Sequence, residues 1–274
     1  MLPMKRELKA EESSGKSDKK TKRQREKRDQ HWGWVPRMFI KPRSTLARVN
    51  AQETSAWLVP MVILAVMVLL AVVVAAPIKR VNIQTGATVP EDFQWWSQER
   101  QQQYLQAQQN LTSPTFMYLF PLLTGLAGYL LFWLICSSLL YLSLTLAGSR
   151  TTNQKVSNLI AWAMVPFALR ELVKVIVIIS SKKLVEDPGL SYLIASDATG
   201  IMAWLRGILG QADFYGLLFV IFLFLGAVPL SGLRANKAVL ATTVALILVL
   251  ALIGIPAVIS SALSGMGGSG YYFF

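Results

Sequence analysis

Cysteine and histidine are almost missing from this sequence, with one of each in 274 residues. Cys136 lies inside an apolar run, so no disulfide framework is possible within one chain. His31 lies in a polar tail, which excludes a His-based triad or a His-rich metal site within a membrane. No Walker-type glycine loop occurs, and "SGMGGSG" near the end lacks the lysine and following helix such a loop needs. It reads as a flexible tail over 263–274. Charge is scarce as well: 15% of residues are charged, where a soluble domain carries about 25%. Met1 begins a polar stretch rather than an apolar signal core, so no cleaved secretory signal is expected.

What is present is apolar sequence in long blocks, 53% hydrophobic overall, with much of the charge between the blocks. That is a membrane distribution. Five spans are expected, over 56–76, 116–146, 156–180, 214–230 and 238–261. Each must satisfy its backbone hydrogen bonds internally, so each is expected to be a helix. The fold class is therefore all-α, a polytopic bundle of five transmembrane helices. The second run has 31 residues and would reach roughly 46 Å, so it must tilt or project beyond the bilayer.

Basic residues set the expected orientation. The first 50 residues hold 15 Lys/Arg against six acids. Arg150 and Lys155 follow the second span, and Arg234 and Lys237 follow the fourth, which makes 19 on one side. The opposite loops, 77–113 and 181–213, carry six over much longer sequence. The positive-inside rule then places the N-terminus in the cytoplasm and, after five crossings, the C-terminus outside.

The N-terminal region divides in two. Residues 1–31 are charged and poor in aromatics, so a disordered tail is expected. Its cluster Lys19, Lys20, Lys22, Arg23, Arg25, Lys27 and Arg28 is either a solvated run or a contact for anionic lipid headgroups, worth roughly 1 kcal/mol per basic residue. Nucleic acid is not expected as a partner, since no folded reader accompanies the run. Residues 32–55 read as an amphipathic interfacial segment. Trp32, Trp34, Phe39 and Trp57 suit the headgroup region; Ser44 or Thr45 caps a short helix that buries Leu46 and Val49.

The first outer loop predicts a helix outside the membrane. Thr88 caps it, Pro90 fits its first turn and Glu91 and Asp92 suit its positive end. Phe93, Trp95 and Trp96 are either membrane-edge anchors or contacts for a partner. "NLT" at Asn110 matches a glycosylation acceptor. In the second outer loop "IMAWLRGIL" is amphipathic, and either lies along the interface or caps the bundle.

One span carries charge near its middle. "PFALRELVKVIVII" places Arg170, Glu171 and Lys174 in an otherwise apolar run. A charge at mid-membrane costs about 2.5–3.5 kcal/mol on insertion scales. Arg170 and Lys174 are four apart, Glu171 and Lys174 three, so the group partly neutralises itself. Lys174 has the reach to extend outward to Asp213 or the headgroups, while Arg170 is expected to face another helix, a carbonyl or a watery recess. The cluster is either a structural device fixing helix packing and depth or a polar site for a solute, a lipid headgroup or a partner helix. No catalytic residue, metal ligand or cofactor site is expected, and the chain is read as non-enzymatic.

The order of several segments is similar to that of a known family. "FIKPRSTLARVNAQETSAW" precedes the first span and "LLYLSLTLAGSRTTNQKVSNLIAWAMVPFALRELVKVI" covers the second and third. "EDPGLSYL" and "ADFYGLLFVIFLFLGAVPLSGLRANKAVLATTV" follow. Together, over roughly 37–262, these resemble the Yip family of five-helix membrane proteins in its bacterial form. The resemblance implies no catalytic residues. It implies a prokaryotic plasma membrane and, from some bacterial relatives, an accessory role beside ABC-type exporters; eukaryotic relatives are associated with vesicle traffic and small GTPases. The resulting expectation is an accessory or assembly subunit acting through helix–helix contacts. The alternative is a small permease or lipid-handling protein using the charged cluster.

Overall fold

Proline and amphipathic spacing shape the first described elements. The computed structural model describes residues 32–86, 93–185 and 188–266, and every regular element among them is helical. The basic tail through Arg28 and the predicted helix start at Thr88–Asp92 lie outside these residues. Two short helices come first, α1 (Trp34–Ile40) and α2 (Pro42–Asn50). Lys41 rather than Ser44 or Thr45 occupies the N-cap of α2, because Pro42 supplies a first-turn φ and needs no hydrogen-bond acceptor. Ser44 and Thr45 instead donate back to the Lys41 carbonyl, each at 3.0 Å.

Leu46 and Val49 are fully buried, as the spacing predicts. The pair does more than rest on an interface. Trp34, expected at the lipid surface, is buried with its ring centroid 5.6 Å from that of Trp162, while Trp32 stays exposed. Phe39 meets Phe222 at 6.2 Å. Asn50 Nδ2 donates to the Gly226 carbonyl at 3.0 Å. Gly226 also faces Leu159, whose side chain would have to shift to admit a Cβ there.

α3 (Leu58–Gly86) is the first long helix. A polar helix, α4 (Gln98–Leu111), follows, with Ser97 Oγ accepting from Arg100 N at 3.4 Å. A π turn over Thr115–Leu119 leads into α5 (Phe120–Leu146). The third expected span is two helices, α6 (Asn153–Ala163) and α7 (Val165–Ser181). Pro166 explains the break. It has no N–H for the Trp162 carbonyl and its ring crowds that carbonyl; the chain turns at Met164, whose carbonyl accepts from Phe167 N at 2.9 Å. α8 (Gly200–Leu209) is the amphipathic stretch "IMAWLRGIL" in the 181–213 connection. α9 (Phe214–Ser231) begins at an Asp213 cap. The last expected span is also divided, into α10 (Ala235–Ile253) and α11 (Ile255–Met266), just before Pro256.

Four runs among the described residues are long and apolar enough to cross a membrane: Leu58–Gln84, Thr115–Leu146, Phe214–Ser231 and Ala235–Ala262. Between 11% and 39% of each apolar window is buried within the chain, so most of this surface faces outward. Water does not solvate such faces favourably; hydrocarbon does. The protein is an all-α, polytopic membrane protein.

α6 and α7 occupy the opposite environment. Every residue from Asn158 to Ala168 is buried. The buried polar groups there are bonded. Asn158 Oδ1 accepts from Ala56 N at 2.9 Å, Asn158 Nδ2 donates to the Thr54 carbonyl at 2.9 Å, and Trp162 Nε1 donates to the Ala56 carbonyl at 3.0 Å. These bonds tie the entrance of α3 to the middle of the bundle. Ser149 Oγ donates to the Ser231 carbonyl at 2.6 Å, so the turns after α5 and after α9 meet. The pre-span hairpin and both short turns therefore gather at one end of the bundle.

α8 is a packed helix. Trp204 Nε1 donates to the Ala251 carbonyl at 2.9 Å, and its indole lies against Gly254, leaving no room for a Cβ. This cap holds the 188–213 connection against α10 and α11.

Candidate functional site

α7 enters its second half with one face already committed to the core. Phe167 stacks on Phe219 at 5.3 Å and meets the edge of Phe132 at 5.6 Å. One turn later Arg170 is brought into the same interior, and Glu171 beside it. They are 8% and 6% exposed, values far below those normal for charged residues, so partners are obligatory.

Three parts of the chain supply those partners: α5, α7 itself and the connection between α8 and α9. Arg170 Nη1 donates to Gln211 Oε1 at 3.1 Å and to Asp213 Oδ2 at 3.4 Å. Arg170 Nη2 donates to the Tyr129 hydroxyl at 2.9 Å. The Tyr129 hydroxyl donates in turn to Glu171 Oε1 at 2.7 Å, and Lys174 Nζ donates to the same oxygen at 2.9 Å. Arg170 Nε lies 3.9 Å from Glu171 Oε1. The guanidinium carbon sits 4.8 Å from the Phe167 ring centroid, a cation–π contact. Asp213 also caps a helix: its Oδ1 accepts from Gly216 N at 2.6 Å at the start of α9.

The arrangement unites all four residues of the expected polar cluster, Arg170, Glu171, Lys174 and Asp213, with two cations facing two carboxylates. Its pairing differs from the expected one. Arg170, not Lys174, reaches Asp213, because the guanidinium fork spans both Gln211 and Asp213 while the lysine turns back one helical turn to Glu171. Sequence spacing does not single out Tyr129 or Gln211. Tyr129 is one of several tyrosines near the 116–146 run, and nothing in spacing separates it from Tyr118 or Tyr141. Gln211, two residues before Asp213 in "GQADF", is the one accessible signal.

The network forms part of the wall of a cleft of 1290 Å³ bounded mainly by α3, α5, α7, α8 and α10. Lys174 is its solvent-facing member, with 32% of its side chain exposed. Among the described residues no group of three or more His, Cys, Asp or Glu is placed to hold a metal ion, and Cys136 is free and buried. The network can bind, orient and clamp; it presents no nucleophile–base pair.

α4 has its own cluster. Phe93, Trp96 and Tyr104 lie 5.5–5.7 Å apart, centroid to centroid, and Arg100 stands 4.3 Å over Trp96. Phe93 and Trp96 thus pack on α4 itself, while Trp95 is 84% exposed.

No curated protein and no solved structure matches the chain. Residues 37–258 match the Yip1 domain, a stretch that runs from α1 into α11 and contains every member of the charge network. The chain therefore belongs to the Yip1 domain family, as a non-enzymatic, helix-packed membrane protein.

Proposed function

We propose that this protein works by contact, as an accessory or assembly subunit of a membrane complex, with an ABC-type exporter in a prokaryotic plasma membrane as the concrete partner. The observation carrying this reading is the outer helix. α4 is polar, its main neighbour is the Thr115–Leu119 turn, and its root carries an aromatic knot that is already ordered. Trp95 projects from that knot. A rigid aromatic anchor on a polar platform is the kind of feature that dominates binding energy at protein interfaces.

In this reading α6–α7 form a fifth crossing, the N-terminus lies in the cytoplasm and the C-terminus outside. The basic tail residues Lys19 to Arg28 rest on anionic headgroups, and the charge network fixes the depth and packing of α7 so that the outer helices present constant faces to a partner.

Mild detergent extraction followed by affinity purification tests the reading. A stoichiometric membrane partner is expected, and Trp95→Ala is expected to lose it without altering the melting temperature. A monodisperse protein with no partner that moves solute or lipid after reconstitution in liposomes overturns the proposal in favour of a permease.

A further inference from the structure

The segment before the first span is basic without a balancing acid. Residues 32–52 hold Arg37, Lys41, Arg43 and Arg48 and no Asp or Glu. On the α1–α2 hairpin Trp34, Met38, Leu46 and Val49 turn inward and are buried. The outward side carries the four cations, all exposed, and two large apolar residues at the joint, Phe39 at 40% exposure and Ile40 at 75%. None of the four cations forms an ion pair among the described residues. Three of them, Arg37, Lys41 and Arg43, flank the joint itself.

Contacts with α9 set the depth of that joint. α9 has 18 residues and reaches about 27 Å, close to the roughly 30 Å of a hydrocarbon core, so little of it is left to project into water. Phe222, which Phe39 meets at 6.2 Å, stands nine residues before Ser231, about 13 Å inside that end. Its ring leans toward the start of the helix and so lies deeper still. The Phe39 ring is therefore at least about 7 Å inside the end of α9. Asn50 bonds Gly226, five residues before Ser231, so the chain returns toward that end along α2. The hairpin flanks the last half of α9 instead of lying beyond it.

Depth and charge name what covers this side. Phe39 and Ile40 at that level face acyl chains, as do Leu217 and Ile221, exposed on α9. The cations beside them have no partner in hydrocarbon, but their long stems reach outward to the phosphate level. Between residue 32 and the start of α3, and in the turns after α5 and α9, Glu53 is the one acid, while Arg150, Arg234 and Lys237 add exposed positive charge at the same end. The tail preceding the hairpin is itself net basic. The charge is answered by an anion from outside the chain.

We propose that the α1–α2 hairpin is a docking surface for anionic phospholipids, embedded in the leaflet on its side of the membrane. Phe39 and Ile40 insert among the acyl chains. Arg37, Lys41 and Arg43 each draw a lipid phosphate inward, so anionic headgroups gather beside the joint and the leaflet thins there. The three cations act separately, because each headgroup is a separate molecule that comes to its own partner. The site is built by folded residues and is distinct from the tail cluster.

Two measurements on the full chain test this with lipids alone, so failure of the accessory-subunit reading leaves their outcome untouched. All variants carry Gln at the seven tail positions Lys19, Lys20, Lys22, Arg23, Arg25, Lys27 and Arg28, which removes headgroup binding by the tail. The first is depth, read in phosphatidylcholine–phosphatidylglycerol nanodiscs in a Cys136→Ser background. A nitroxide on Ile40→Cys should collide with oxygen more readily than with a water-soluble nickel chelate, and the same label on Gln106→Cys, exposed on α4, should show the reverse. The second is lipid retention in mild detergent, read by native mass spectrometry. Phosphatidylglycerol should be retained over phosphatidylcholine of the same chains, and Lys41→Gln with Arg43→Gln should weaken its retention by about tenfold or more at an unchanged melting temperature. Lys182→Gln with Lys183→Gln removes the same charge from exposed positions outside the hairpin and should leave retention unchanged. Chelate access at position 40 equal to that at 106 overturns the proposal and makes the hairpin a surface for an acidic partner segment. Equal effects of the two double variants on retention, large or absent, also overturn it.

Discussion

Arg170 is worth more than its charge because its fork serves three acceptors at once. Removing it leaves the half-buried Asp213 carboxylate without its cation and takes the donor from Gln211 and the Tyr129 hydroxyl, and a carboxylate stripped of its partner in a largely buried site is the expensive outcome. Arg170→Gln is expected to destabilise the protein by about 3–5 kcal/mol, read as a fall in melting temperature in detergent. Arg150→Gln removes an exposed charge from the turn after α5 and should stay within about 0.5 kcal/mol. Equal and negligible effects from the two changes would remove any special role for Arg170. The charged trio was legible because three ionisable residues in an apolar run have no bland neighbours to hide among. Tyr129 was not, since it lies 41 residues from Arg170 and its hydroxyl is invisible to a hydropathy pattern. Long-range pairing, not composition, decided which tyrosine of the α5 region joined the network.

At the scale of elements, the apolar runs located four helices well, because length and hydropathy are local properties. The divisions were harder. Pro166 and Pro256 stand in the sequence, yet Pro77 lies inside α3 and Pro229 inside α9 without ending either helix. What the chain does at a proline depends on what packs nearby. At the second division the packing partner is α8. Its indole occupies the space that any Cβ at position 254 would need. Gly254→Ala should therefore push Trp204 off α10, break its bond to the Ala251 carbonyl and free α8. Hydrogen exchange is expected to rise in residues 200–209 and stay constant in α3 and α5. Unchanged exchange in α8 would mean that the helix is held by its other contacts alone.

Charge decides how the whole molecule sits in a membrane, and burial decides how many times the chain crosses. With 11 and 17 residues, α6 and α7 are each shorter than any of the other four runs. They are also the least suited to lipid, holding Asn158, Arg170 and Glu171. From Asn158 to Ala168 they are enclosed by the other helices, and only the second half of α7 exposes apolar residues, Leu172, Ile176, Val177 and Ile179. Their ends carry the count. Ser149 bonds the turn after α9 just before α6 begins, and Arg170 bonds Gln211 and Asp213 on the opposite connection. If α6–α7 cross as proposed, they bring the number of crossings to five with their four companions. In the proposed orientation the 19 Lys/Arg of the first 50 residues and two short turns lie on the cytoplasmic side. Single cysteines in a Cys136→Ser background check this in intact cells. Lys20→Cys and Asn236→Cys are expected to resist a membrane-impermeant maleimide until the cells are opened, and Gln106→Cys, at an exposed position of α4, is expected to react from outside. Labelling of Lys20→Cys from outside would invert the molecule. Labelling of Gln106→Cys only after lysis, with Lys20→Cys protected as well, would put both ends of α3 on one side and remove the first crossing.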